Sequence, residues 1–145
     1  MEPLDLTLAA PRAPREQLAD VIFLPRTIDK LRASLPGGNL GAYTIEGFST
    51  MLLDALDIEL DALTAVVRDA DGDASVAAFV RSETTPERIA AWNAMISERL
   101  PRGGDRAAAL EVYPWLRDYP ELPKALDVLA EDDRRHFAAI SSSAG

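Results

Sequence analysis

Apolar residues recur at the three- and four-residue spacing of an amphipathic helix along almost the whole chain, and no segment alternates apolar and polar residues for long. This pattern predicts an all-α fold. A chain of 145 residues is long enough to bury the core of one domain. We therefore predict a single compact domain of about six helices over residues 1–140, followed by a flexible tail at residues 141–145, which read Ser-Ser-Ser-Ala-Gly.

The first helical segment is predicted from Pro14 to Leu35, and Pro25 lies in its interior. Its apolar residues form two stripes, which centre on directions about 100° apart in a helical projection. The first stripe is Leu18, Val21 and Ile22, and the second is Leu24, Ile28, Leu31 and Leu35. One straight helix cannot bury both stripes. Because proline lacks a backbone N–H and obstructs the preceding turn, we predict that the helix is kinked or broken near Pro25.

Turn and capping residues divide the rest of the chain. A helical hairpin is predicted with its turn near Asp57, and a short helix is predicted after the acidic turn at residues 69–73. Thr85 is suited to cap the next helix, with Pro86 in its first turn. Asp105 is predicted to cap a short helix in the last third of the chain, where prolines interrupt the helical pattern.

Composition excludes several classes of function. The net charge of −9 argues against a nucleic-acid partner, since such proteins use cations to replace counterions along phosphates. There is no cysteine, and therefore no disulfide, thiolate nucleophile or thiolate metal site. No apolar stretch is long enough to cross a membrane, and the acidic start does not resemble a secretory signal. A cytoplasmic location without membrane attachment is expected.

Charge reverses in one segment. Residues 12–35 carry five cations against three acids. The five cations are Arg12, Arg15, Arg26, Lys30 and Arg32. On a continuous or gently bent helix, Arg15, Arg26 and Lys30 would project within about 60° of one another, with Asp29 beside them. An arginine fork and a compact lysine charge suit a carboxylate or a phosphate. Tyr43 either belongs to the core or closes a pocket over the arginines.

Two interpretations of this segment stay open. Arg26 and Asp29 are three residues apart and can pair on a helix surface, while the other cations face residues 36–80, which hold eight acids and one base. Alternatively, the segment forms a binding site for a small anion or a partner protein. The residues of that predicted site are Arg12, Arg15, Arg26, Asp29, Lys30 and Tyr43.

Three other motifs are interpreted as structural. Gly37 and Gly38 are explained by helix termination, since their spacing fits neither a phosphate-binding loop nor a dinucleotide fingerprint. The acidic turn at residues 69–73 lacks the later glycine and glutamate of a calcium loop. His136 is the only histidine and has no identifiable nucleophile to serve. We predict neither a metal nor a cofactor.

The quoted motifs resemble a known family. They are Pro11-Arg12-Ala13-Pro14-Arg15, Leu24-Pro25-Arg26, Ile28-Asp29-Lys30, Gly41-Ala42-Tyr43 and Thr85-Pro86-Glu87-Arg88-Ile89-Ala90-Ala91-Trp92-Asn93. Together they are similar to the bacterial domain-of-unknown-function family numbered 5069, over residues 5 to about 100. Ala13 stands where the family pattern has serine, and Ala42 where it has glutamate. The family has no assigned activity, so the resemblance supports the fold and the domain and leaves the function open.

The leading hypothesis is a non-catalytic domain that binds a partner protein or a small anionic ligand through the cationic segment. The alternative is an enzyme acting on a small anionic substrate, with Asp29 or His136 transferring protons. No particular ligand and no oligomeric state follow from the sequence.

Overall fold

The structure is a computed structural model that describes the backbone of residues 1–144 and the side chains of residues 1–141. The chain divides into two compact units, Met1–Asn93 and Ala94–Gly145. The all-α fold class is confirmed, because the chain is mostly helical and its one small sheet has two strands within the described residues. The first unit contains β1 (Gln17–Leu18), β2 (Val21–Ile22), α1 (Leu24–Ser34), α2 (Phe48–Leu56), α3 (Leu60–Asp69), α4 (Asp73–Glu83) and the first part of α5 (Pro86–Glu98).

A β-hairpin occupies the place of the predicted helix before Pro25. β1 and β2 pair antiparallel, with Gln17 opposite Ile22 and Leu18 opposite Val21. The two residues between the strands, Ala19 and Asp20, have φ values of 54° and 62°, as a tight hairpin turn requires. The prediction of a helix over residues 14–23 was therefore wrong. The predicted break is present, because α1 begins at Leu24 and carries Pro25 in its first turn.

Helix α1 is the centre of the first unit. Residues 24–31 of this helix are all buried, and α1 packs against α2, α3 and the hairpin. The two apolar stripes of the sequence thus belong to two different elements, a hairpin and a helix. Each element turns its own apolar side chains inward, which one straight helix could not do. The isolated bridge between Asp5 and Asn39 ties the N-terminal segment to the loop that follows α1.

The remaining predicted helices of this unit are confirmed. The α2–α3 hairpin turns at Asp57, whose φ is 57°. Helix α4 follows the acidic turn, and α5 begins at Pro86. The Thr85 hydroxyl accepts a hydrogen bond from the Arg88 backbone N–H at 3.2 Å, which is the predicted N-cap.

The second unit contains the end of α5, a 3-10 helix at Pro101–Gly104, α6 (Arg106–Val112), a second 3-10 helix at Pro114–Asp118 and α7 (Ala125–Ala144). Asp105 caps α6 as predicted, since its carboxylate accepts from the Ala108 N–H at 3.1 Å. The core of the second unit contains Ala109, Leu116 and Val128, with aromatic side chains packed around them.

The predicted flexible tail falls on the end of α7 and on Gly145, which lies outside the described residues. The flexibility of this tail therefore stays a prediction. The single domain over residues 1–140 also stays a prediction. No helix in the part of the chain that is described has the length and apolar character needed to span a bilayer.

We expect Gly38→Ala to lower the free energy of unfolding by about 1–3 kcal/mol. A Cβ at Gly38 would lie 2.5 Å from the carbonyl oxygen of Ala33 and 2.9 Å from that of Arg32, both at the end of α1. These backbone atoms cannot rotate away as a flexible side chain could. Gly72→Ala is the control, because a Cβ there would meet nothing within 4 Å. Urea denaturation of the two variants measures the difference, and equal losses would contradict the steric argument.

Candidate functional site

Two carboxylates from two helices hold Arg12. Its backbone N–H donates to Asp29 Oδ2 at 2.8 Å, and its Nη2 donates to Asp29 Oδ1 at 3.0 Å. Its Nη1 and Nη2 also donate to Asp73, the first residue of α4. Burial acts to lower the pKa of the Arg12 guanidinium, but hydrogen bonds to Asp73 and Asp29 and their charges outweigh it and raise that pKa above its ordinary value. Arg12 therefore connects the segment before β1 to both α1 and α4 through charged hydrogen bonds.

Arg26 and Lys30 lie one helical turn apart on α1, and both contact the ring of Phe23. The Arg26 Cζ is 5.9 Å from the centroid of the Phe23 ring, and the Lys30 Nζ is 5.5 Å from it. The Arg26 Cζ also lies 5.5 Å from the centroid of the Tyr43 ring. All three distances are within cation–π range. Arg26 and Lys30 are 2% and 7% exposed, whereas Tyr43 is half-buried. We call Arg26, Lys30, Phe23 and Tyr43 the cation cluster.

Phe23 has an unusual backbone for a bulky residue. Its φ of 78° and ψ of −12° lie in the left-handed region, which large side chains rarely adopt. This residue joins β2 to α1, and its carbonyl accepts from the Thr27 N–H at 3.0 Å. Its fully buried ring meets the Phe48 ring edge-on, at 6.0 Å between centroids. The strained link therefore places an aromatic ring beside both cations.

Side chains from α5 hold the hairpin that leads into Phe23. The Trp92 indole N–H donates to the Ile22 carbonyl at 2.8 Å, and the Ile22 N–H donates to Asn93 Oδ1 at 3.0 Å. The Asn93 amide also donates to the Asp20 carbonyl at 2.7 Å. Both backbone groups of Ile22 are thereby satisfied next to the strained residue. Such long-range bonds stabilise a conformation that the local sequence does not favour.

The structure brings three of the six predicted site residues together: Arg26, Lys30 and Tyr43. Arg12 and Asp29 lie next to them as an ion pair, and the Arg12 carbonyl accepts from Arg26 Nη1 at 3.4 Å. The predicted helical alignment of Arg15 with Arg26 and Lys30 was wrong, because Arg15 precedes the hairpin. Arg15 is exposed in the turn before β1.

Sequence reasoning missed four residues of this region: Phe23, Asp73, Trp92 and Asn93. Asp73 was interpreted as part of an acidic turn, and only the fold shows that it faces Arg12 across 61 positions of sequence. No sequence motif marked Phe23. Trp92 and Asn93 ended the last of the family motifs, and that co-occurrence with the N-terminal motifs was the one signal that could have connected them to the hairpin.

The other candidate for proton transfer is His136. His136 belongs to the second unit, where it is exposed on α7 with its ring 5.0 Å from that of Phe137. Just before it, Arg134 and Arg135 donate to Glu131, and the hydrogen bond from Arg134, against the effect of burial, lowers the pKa of that carboxyl to about 2. A role for His136 in proton transfer stays a prediction.

A pocket of about 230 Å³ lies at the turn between α2 and α3, with Asp54, Asp57 and Glu59 among its lining residues. Among the residues that are described, however, no three or more His, Cys, Asp or Glu side chains form a group that could hold a metal ion. The acidic turn before α4 has other partners, since Asp69 pairs with Arg68 and Asp73 with Arg12.

The chain matches one known family over most of its length. No curated protein matches it. One family model matches residues 8–117, which is most of the chain and includes every residue of the cation cluster, the Arg12 ion pair, Trp92 and Asn93. The resemblance found in the motifs is thus confirmed, and the match extends beyond residue 100. The chain belongs to the family described as Domain of unknown function (DUF5069).

Proposed function

We propose that this protein is a non-catalytic, cytoplasmic domain that binds a small anionic ligand through Arg26 and Lys30. Tyr43 covers the ligand, and Arg12 and Asp29 support the site from the side. One observation carries the proposal: two cations lie four residues apart on one helix, both nearly buried and both against the same ring.

Arg26 and Lys30 place two like charges one turn apart on α1. Like charges four residues apart on a helix repel each other, and burial strengthens the repulsion because less water screens it. Each buried cation also loses most of its hydration. An anion bound between Arg26 and Lys30 would attract both, so the same two charges that oppose each other in the free protein favour the complex.

The degree of burial favours a small ligand over a partner protein. Arg26 and Lys30 are 2% and 7% exposed, so the surface of a folded partner could touch little of either group. A carboxylate or phosphate group is narrow enough to enter when Tyr43 moves aside. Arginine offers such a group a planar pair of N–H donors, and lysine offers a compact charge. Arg15, which is exposed, is suited to attract the anion from solvent.

Isothermal titration with inorganic phosphate and with acetate tests the proposal, at an ionic strength held constant with sodium chloride because salt screens surface charges. We expect saturable binding of at least one of these probes by the wild type. Lys30→Met removes the ammonium and keeps an apolar stem, and it should weaken binding by about tenfold or more, as expected for a charge-assisted hydrogen bond.

Arg68→Met is the matched control, since Arg68 is exposed and pairs with its neighbour Asp69. It should bind the probes as the wild type does. Circular dichroism melting confirms that both variants are folded. Binding by Lys30→Met that equals the wild type, or no binding of either probe to the wild type, would contradict the proposal. The enzyme alternative, in which Asp29 or His136 transfers protons, has no comparable support. The Asp29 carboxylate is already engaged by the guanidinium and backbone of Arg12, and His136 is exposed on α7.

A further inference from the structure

Asp73 lies outside the cation cluster but is connected to it through Arg12. Its carboxylate accepts from Nη1 and Nη2 of Arg12, and its side chain is 34% exposed at the start of α4. The carbonyl of the same Arg12 accepts from Nη1 of Arg26 at 3.4 Å. Asp73, Arg12 and Arg26 therefore form a chain of contacts that runs from the N-terminus of α4 to the centre of the proposed site.

Carboxylates hold both the backbone and the guanidinium of Arg12. Asp29 holds its backbone N–H, at 2.8 Å, as well as its side chain. Asp73 accepts from Nη1 and Nη2 of the same guanidinium, so carboxylates from α1 and α4 together hold the side chain. The bond from Arg26 to the Arg12 carbonyl is long, and it contributes orientation more than energy. Such a contact limits rotation of the Arg26 guanidinium, which reduces the conformational entropy that ligand binding must remove.

We infer that Asp73 is a positioning residue for anion binding: by fixing Arg12 it fixes the carbonyl against which Arg26 is oriented. This inference rests on the proposed function, since it concerns the same site. It assigns a ligand-binding role to a helix that contributes no residue to the cation cluster.

The sign of the effect separates positioning from simple electrostatics. Removing a carboxylate near two cations makes the local potential more positive, which strengthens the binding of an anion. If Asp73 acted only through its charge, Asp73→Asn would bind the anion more tightly. If Asp73 positions Arg26 through Arg12, the same substitution weakens binding despite the more favourable potential.

The experiment titrates inorganic phosphate into the wild type, Asp73→Asn, Asp73→Glu and Asp71→Asn at constant ionic strength. Asp71 is an exposed acid in the same turn, so its substitution removes an equal charge and serves as the control. We expect Asp73→Asn to weaken binding by about three- to tenfold, as for residues coupled through a shared network. Asp73→Glu should recover part of the loss, and Asp71→Asn should bind as tightly as the wild type or slightly tighter. Folded protein is verified by its NMR spectrum.

The Arg26 Nε–Hε resonance is followed in the same samples and reports the orientation of that guanidinium directly. It should shift in Asp73→Asn and stay in place in Asp71→Asn. Unchanged or tighter binding by a folded Asp73→Asn would overturn the inference. If the wild type itself does not bind phosphate, phosphate fails as the ligand, and the resonance then decides on positioning alone: a shift specific to Asp73→Asn supports it, and no shift overturns it.

Discussion

Arg12→Met is expected to lower the free energy of unfolding by about 2–4 kcal/mol, because removing one member of a buried ion pair leaves the other charge without compensation. The Asp29 side chain is 7% exposed, whereas Arg12 is 31% exposed, so the expected loss is below that for a fully buried pair. Methionine keeps most of the apolar stem. The loss therefore reports the missing guanidinium, which contacts both Asp29 and Asp73. Urea denaturation followed by circular dichroism measures it.

Arg68→Met is the control for that experiment as well. Arg68 pairs with Asp69, and their side chains are 58% and 70% exposed. Exposed pairs of this kind contribute little to stability, so the control should remain close to the wild type. Adding Asp29→Asn to Arg12→Met should recover part of the stability, since the uncompensated charge is then absent. If Arg12→Met lowers the free energy of unfolding no more than Arg68→Met does, Arg12 does not stabilise the contacts of the segment before β1 with α1 and α4.

Trp92→Ala is expected to destabilise the protein by about 3–5 kcal/mol, the usual cost of deleting a buried tryptophan. Trp92 is 1% exposed, and its indole N–H donates to the Ile22 carbonyl at 2.8 Å. The substitution thus leaves a cavity and also removes the partner of a buried carbonyl beside the strained residue Phe23. Trp92→Phe keeps most of the ring volume but removes the indole N–H. Its loss should therefore be smaller and should come mainly from the Ile22 carbonyl that loses its donor, at a cost of about 1–3 kcal/mol.

Trp115→Ala is the matched control. Trp115 is half-buried, and its indole N–H reaches Asp132 at the longer distance of 3.4 Å. It should cost less than Trp92→Ala in the same denaturation experiment. In Trp92→Phe we also expect the backbone amide resonance of Phe23 to shift, since the hairpin loses one of its ties. An unperturbed Phe23 amide would mean that α5 does not control the link to α1.

The helices whose ends are marked by local residues could be predicted from sequence. Thr85 and Asp105 form hydrogen bonds with N–H groups three residues ahead, so a capping side chain and the apolar spacing after it were sufficient. The β-hairpin could not be predicted in this way. Leu18, Val21 and Ile22 fit a helical stripe, and the bonds that favour a hairpin come from Trp92 and Asn93, about 70 positions away.

Only part of the candidate site could be predicted, because some of its residues share one helix and others meet through contacts between distant segments. Arg26 and Lys30 lie within one helix, so their common face followed from their spacing of four residues. Arg15 was expected on that face only because the helix was extended backward through the hairpin. Two features of the site depend on tertiary packing: the pairing of Arg12 with Asp73, and the position of the Phe23 ring. Neither can be predicted from the residue types alone. The motif at residues 85–93 gains a physical meaning from the structure, since Trp92 and Asn93 hold the hairpin beside the cation cluster.

Anomalous diffraction from a crystal soaked in sodium selenate tests whether an anion binds between Arg26 and Lys30, because selenate is a tetrahedral anion whose selenium can be located by its anomalous signal. We expect an anomalous peak within hydrogen-bonding distance of both the Arg26 guanidinium and the Lys30 ammonium, with Tyr43 displaced or lying against it. Peaks found only beside exposed cations such as Arg15 and Arg68, with none between Arg26 and Lys30, would contradict it.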